Sequence, residues 1–164
     1  MEQKKTITLV VVVVIGLFML YSYSVTPLIS DANYTYISGM TWYNTYEAGQ
    51  KVAIEENKPM LVYVWAIWCQ FCEKLHTEVY PDPKVSKYLK EDFVLIAIDL
   101  DKNRGDAQKF GAQYPPFLVF LTPTGEKITE IPGYIPAEEL SNILEVIVNQ
   151  RQEIIEAHED LPHS

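Results

Sequence analysis

The chain has 164 residues, 48% of them hydrophobic, enough for one core of ordinary domain size plus an appendage. Its net charge of −9 is spread along the chain rather than gathered in a tail, which reads as a solvated surface. With no basic patch to neutralise phosphates, nucleic acid is excluded as a partner. Two cysteines are too few for a disulfide-built scaffold, so they read as chemistry.

Residues 1–6 form a short charged start containing Lys4 and Lys5, expected on the cytoplasmic side. Ile7 to Val25 carries no charge, and as a helix it spans about 28 Å, close to the hydrocarbon thickness of a bilayer. Tyr21 and Tyr23 suit the membrane interface, and no Lys or Arg follows until Lys51. The positive-inside rule therefore puts the N-terminus in the cytoplasm and the remainder outside it, periplasmic or at the cell surface. The alternative is a cleaved secretory signal and a secreted product, with Ser22-Tyr-Ser24 as small residues at the cleavage site. Residues 26–40 read as a tether, 41–157 as the folded domain and 158–164 as a tail.

Within the domain, a first short strand near Trp42 precedes an amphipathic helix over Asn44–Asn57, ended by Lys58-Pro59. Met60 to Ala66 is almost wholly apolar, as expected of a central strand covered on both faces. Trp68-Cys69-Gln70-Phe71-Cys72 follows and opens a helix running to Tyr80. A strand feeding a helix puts Cys69 at the helix N-terminus, where free N–H groups and the dipole favour a thiolate, and Cys72 one turn further on the same face. Cysteines three apart on one turn can close a disulfide, so the pair can cycle between dithiol and disulfide. Pro81-Asp-Pro83 interrupts the helix, which resumes over Lys84–Lys90. Phe93–Ile98 is a second buried strand ending at Asp99, Arg104–Ala112 a short helix, Phe117–Leu121 a third strand, and Lys127–Ile131 a fourth with an edge-like pattern. Pro136 starts a last helix over Ala137–Ala157, whose stripe is Leu140, Ile143, Leu144, Ile147 and Val148. The order describes an α/β fold, a mixed central sheet with helices on both faces.

At these residues the chain resembles the thioredoxin superfamily. Trp68-Cys69-x-x-Cys72 after a buried strand looks like its redox motif, Pro116 stands where the family places its cis-proline, and Gly133 fits the family glycine near the active surface. Cys72-Glu-Lys-Leu-His-Thr-Glu-Val-Tyr-Pro-Asp-Pro-Lys-Val85 is similar to the extracytoplasmic thioredoxin-like domain of the transmembrane thiol–disulfide interchange reductases. The resemblance covers about residues 41–148. It implies a protein-disulfide oxidoreductase with Cys69 as nucleophile and Cys72 as resolving thiol, acting on protein disulfides, needing no cofactor or metal, and fed by a transmembrane electron donor. Trp68, Gln70, Phe71, Pro115, Pro116 and Gly133 would form the docking surface.

Three departures from the family stand out. Tyr63 stands where thioredoxins carry a buried Asp that helps move the resolving thiol's proton, and a phenol is a poor base at neutral pH. Glu73 is the nearest substitute by sequence. Gln70-Phe71 has no His beside the cysteines, which suggests a reductant or mid-range exchanger rather than a strong oxidant. Pro115 lacks the N–H that would pair with an incoming peptide, so a weaker or narrower peptide grip is expected. Three rival readings remain at this point. The cysteines and His76 could be part of a zinc site, though four ligands are wanted. They could form an inert disulfide, though so small a loop gains little. Or the domain could be a redox-inert adaptor binding a membrane partner through the Trp68/Pro116 surface.

Overall fold

The computed structural model describes residues 34–159, together with the pair Val14 and Ile15. The chain divides into two units, Met1–Asp31 and Ala32–Ser164. The apolar span expected at 7–25 lies outside the described residues except for that pair, as do residues 26–33 of the tether and 160–164 of the tail. Among the described residues no helix is long and apolar enough to cross a membrane.

The second unit begins with a hairpin, β1 (Tyr34–Ile37) and β2 (Met40–Tyr43), turned at Ser38 and Gly39 with positive φ at both. β1 falls in the stretch read as tether. Its Tyr-Thr-Tyr-Ile sequence has no clean apolar alternation and is held by pairing with β2, from Tyr34 opposite Tyr43 to Ile37 opposite Met40. Helix α1 (Tyr46–Glu56) follows, with Thr45 capping it through a hydrogen bond from the Ala48 N–H, and ends in left-handed Asn57. Then come β3 (Met60–Trp65), α2 (Gln70–Lys74) and α3 (Pro83–Asp92). β4 (Val94–Asp99), α4 (Arg104–Lys109), β5 (Phe117–Leu121), β6 (Lys127–Pro132) and α5 (Ala137–Glu159) complete the order.

The six strands are arranged β1-β2-β4-β3-β5-β6. β3 runs parallel to β4 and antiparallel to β5, with Tyr63 between Ala97 and Leu118. Met60 to Val64 are fully buried, which explains their continuous apolar character: helices cover both faces of this strand. Of the α5 stripe, Leu140, Leu144, Ile147 and Val148 are buried and Ile143 is partly so. Close approach accounts for Gly49, since a Cβ there would collide with Ile96 on β4. The parallel strands β3 and β4 point their C-terminal ends at one rim of the sheet, and the cysteines lie there.

The expected helix from Cys69 to Tyr80 is present but not regular. After Lys74 it widens into a π turn over Leu75–Val79, in which the Tyr80 N–H reaches back to the Leu75 carbonyl at 2.8 Å. Asp82 then caps α3, accepting from the N–H groups of Lys84 and Val85.

Candidate functional site

At the end of β3 the chain turns through Ala66-Ile67-Trp68, and the Cys69 N–H closes the turn on the Ala66 carbonyl at 3.1 Å. Cys69 is the N-cap residue of α2, its backbone extended while its carbonyl accepts from Cys72 and Glu73. Its sulfur takes the capping role usually filled by a hydroxyl, accepting the Cys72 N–H at 3.1 Å. A thiolate here would receive that N–H and the field of the helix end. Cys69 and Cys72 are joined in a disulfide with Cα atoms 5.2 Å apart. Cys69 keeps 7% of its surface exposed and Cys72 only 1%, so an incoming disulfide can reach the first sulfur and not the second.

Around Cys69 lies an apolar rim. Ile67 is 87% exposed, Trp68 61% and Phe71 56%, and it is their grouping beside one cysteine, more than the exposure of each, that suits an interaction surface. Trp68 is held by its indole N–H donating to Asp101 at 2.8 Å, and Asp101 is itself set in a turn by its N–H on the Asp99 carboxylate. Phe71 lies against Tyr134, with ring centroids 6.1 Å apart, and Lys74 sits over the Tyr134 ring. That contact brings the loop after β6 to the cysteine helix. Gly133 adopts φ 90°, a conformation open to glycine, and donates its N–H to the Pro116 carbonyl at 2.8 Å. The Pro115–Pro116 peptide bond is cis. Gln70 is exposed, Pro115 half-buried and Pro116 buried. The structure thus brings Trp68, Phe71, Pro116 and Gly133 to one rim. Ile67, Tyr134 and Asp101 belong to it as well; the exposed Ile-Trp pair between a buried strand and the cysteines was the signal for the first.

Beneath the cysteine helix the surroundings are different. Tyr63 is fully buried, and its hydroxyl lies 3.0 Å from Nε2 of His76. Tyr80 meets the Tyr63 ring edge-on at 5.5 Å and stacks on His76 at 6.1 Å, while Trp42 from the hairpin and Trp65 close the cluster. Burial pushes the Tyr63 and Tyr80 phenols well above their ordinary value and pushes the His76 imidazolium down, opposed by the Glu73 charge. The π turn matters here. The Tyr80 N–H goes to the Leu75 carbonyl, and the His76 carbonyl accepts from the Ser38 hydroxyl of the β1–β2 turn at 2.6 Å. His76, offered by the sequence as a possible zinc ligand, is a packed residue held at both backbone and ring. Glu73, the substitute suggested by sequence, is exposed.

Among the described residues no group of three or more His, Cys, Asp or Glu side chains is gathered as a metal site. An open groove of about 450 Å³ lined by Gly39, Tyr43, Val52, Leu89 and Phe93 lies at the opposite rim, by the N-terminal ends of the parallel strands.

Residues 46–147 match the family model described as a thioredoxin-like domain. Over 104 residues the chain is 27% identical to the chloroplastic thioredoxin-like protein HCF164 of Arabidopsis thaliana, covering 62% of this chain and 39% of that one. Over 106 residues it is 26% identical to the thiol:disulfide interchange protein DsbD of Campylobacter jejuni, covering 62% of this chain and 18% of that one. This similarity agrees with the resemblance carried by Cys72–Val85. A thioredoxin from Thermus thermophilus superposes with a TM-score of 0.61 at 27% identity, covering 74% of this chain and 97% of that one. The chain spans less than half the length of both curated relatives. The family and the Cys69–Cys72 pair support thiol–disulfide oxidoreductase activity. With a matching domain over most of its length, a mixed sheet of this order and a cis-proline beside a two-cysteine helix, this chain belongs to the thioredoxin-like family.

Proposed function

We propose that the protein is a membrane-anchored thiol–disulfide oxidoreductase that exchanges disulfides with extracytoplasmic protein partners through Cys69 and Cys72. The observation that carries the reading is the asymmetry of the disulfide: Cys69 is reachable and capped by an N–H donor, while Cys72 is buried behind it. In the reducing direction, the Cys69 thiolate attacks one sulfur of a partner disulfide, and the other partner sulfur leaves as a thiolate. Cys72 loses its proton and attacks Cys69, the partner's second sulfur departs with the bonding pair, and the Cys69–Cys72 disulfide remains. Two electrons pass to the partner, and a transmembrane electron donor would restore the dithiol. Trp68, Ile67 and Phe71 would give the partner an apolar landing, and Gly133 and the cis Pro115–Pro116 pair would line its backbone.

A reductant or mid-range exchanger fits better than a strong oxidant. No histidine stands between the cysteines to stabilise the thiolate, and the Cys72 N–H is the hydrogen-bond donor seen at the Cys69 sulfur. About 30 mV in potential corresponds to roughly 1.4 kcal/mol, so one such bond moves the poise appreciably. Anchoring and an extracytoplasmic location rest on the uncharged run at 7–25 with Lys4 and Lys5 before it.

Cys72→Ser in the full-length chain tests the reading. The expected result is a stable mixed disulfide between Cys69 and a partner protein, recovered from intact cells by a reagent that does not cross the membrane. A variant that traps nothing, together with a wild-type disulfide that resists dithiothreitol, would make the domain a redox-inert adaptor.

A further inference from the structure

The β1–β2 hairpin lies ahead of residues 46–147, the stretch matched by the family model, yet it grips the helical segment that carries the cysteines. At its turn Ser38 holds φ 52°, in the left-handed region that a non-glycine residue seldom occupies. Its half-buried hydroxyl donates to the His76 carbonyl at 2.6 Å. His76 belongs to the π turn, and α2 runs into that turn without a break, so Cys72 and His76 share one helical segment, four residues apart. If the i+5 pattern continued, the donor due to the His76 carbonyl would be residue 81, and Pro81 has no N–H. The hairpin itself is firmly seated. Trp42 is fully buried, donates across the turn to the Ile37 carbonyl at 3.3 Å, and packs on Tyr63 and Tyr80 with ring centroids 5.7 and 5.3 Å away.

We propose that Ser38 is a positioning residue for the redox pair, holding the helical segment of Cys69 and Cys72 in the arrangement that the disulfide needs, a role that rests on the exchange reaction proposed above. Closing the Cys69–Cys72 disulfide fixes the first turn of α2, so closure costs less where that segment is already held. In the dithiol the covalent tie between Cys69 and Cys72 is gone. The Ser38 bond to the His76 carbonyl and the Tyr63 hydroxyl on the His76 ring then restrain the segment from outside it. The coupling is reciprocal: as the hairpin contact favours the disulfide, the disulfide strengthens the hairpin contact by the same factor. Removing the hydroxyl makes the disulfide easier to reduce and raises its potential. The positive φ at Ser38 fits this role, because glycine would adopt that turn at less cost but would bring no hydroxyl to the π turn.

The test measures the Cys69–Cys72 equilibrium of the full-length protein against reduced and oxidised glutathione, and the denaturant stability of both redox forms, in Ser38→Ala and Ser38→Gly. Both variants lose the hydroxyl, but only glycine relieves the positive φ, so alanine should be the less stable of the two. Both should lower the equilibrium constant for disulfide formation by about three- to fivefold, the worth of one side-chain hydrogen bond, which raises the potential by roughly 15–20 mV. In each variant the oxidised form should lose more stability than the reduced form, by that same factor. Equal losses in the two forms, with the glutathione equilibrium unchanged, would make Ser38 a folding residue only and overturn the proposal. So would a potential shift seen in alanine and absent in glycine, which would trace the effect to turn strain rather than to the hydroxyl. A wild-type disulfide that never equilibrates with glutathione would instead sink the exchange reaction itself.

Discussion

The two sides of the cysteine helix are built from similar residues and do opposite work. The outer side presents Ile67, Trp68, Phe71 and Tyr134 to solvent, while the inner side encloses Trp42, Tyr63, Trp65, Tyr80 and His76. Aromatic side chains dominate both. On the outer side their apolar area is unspent and available to a partner; on the inner side it is already spent on the fold. The contrast implies that partner docking and the stability of the fold are separable, because Cys69 keeps an exposed edge while Cys72 is buried.

The largest test of that separation is a pair of truncations. Tyr63→Ala should cost about 3–5 kcal/mol of stability, since a fully buried ring at the centre of β3 leaves a cavity. Phe71→Ala should change stability by no more than about 0.5 kcal/mol, because its ring is more than half exposed. It should instead weaken partner capture by about 1–2 kcal/mol, or roughly tenfold. Chemical denaturation and the rate of mixed-disulfide formation with a protein partner read the two effects. A Phe71→Ala variant as destabilised as Tyr63→Ala would mean that the outer rim is part of the core.

A smaller effect sharpens the outer side alone. Pro115 offers an incoming strand a carbonyl but no N–H, and the Pro116 carbonyl is already taken by Gly133. Pro115→Thr restores the donor, worth about 1 kcal/mol, so insulin reduction should accelerate up to about fivefold. No gain would show that extended peptides do not dock along this loop.

The strand, cysteine and helix order was legible because buried strands and helix starts leave local marks, the apolar run Met60–Ala66 and the cysteines after it, while Pro116 was placed by the family resemblance. β1 was not legible, since Tyr34–Ile37 owes its structure to pairing with β2 rather than to its own pattern. Nor was the π turn, because it occupies a single turn, Leu75–Val79, too short for a residue pattern of its own to mark it. The Tyr63–His76 contact joins residues 13 apart through that turn, so neither residue announced it. One trace was present: Cys72 and His76 are four apart on a helix, and Tyr63 and Trp65 share a strand face.

The smallest effect concerns the inner side. The Tyr80 hydroxyl is fully buried and, in the described structure, has no hydrogen-bond partner. Its ring is held by Trp42 at 5.3 Å and by Tyr63 and His76, contacts that need no oxygen. A buried unpaired hydroxyl costs its desolvation, so Tyr80→Phe should stabilise the oxidised protein by about 1 kcal/mol, less a little for the lost atom contacts. Thermal unfolding of wild type and variant in both redox states checks this. Because the cluster adjoins Cys72 through His76, the comparison between states carries the information. Equal stabilisation in the two forms would make Tyr80 pure packing. Stabilisation confined to the oxidised form would mean that the hydroxyl gains a partner when the disulfide opens, and the inner side would then respond to the redox state that the outer side transmits.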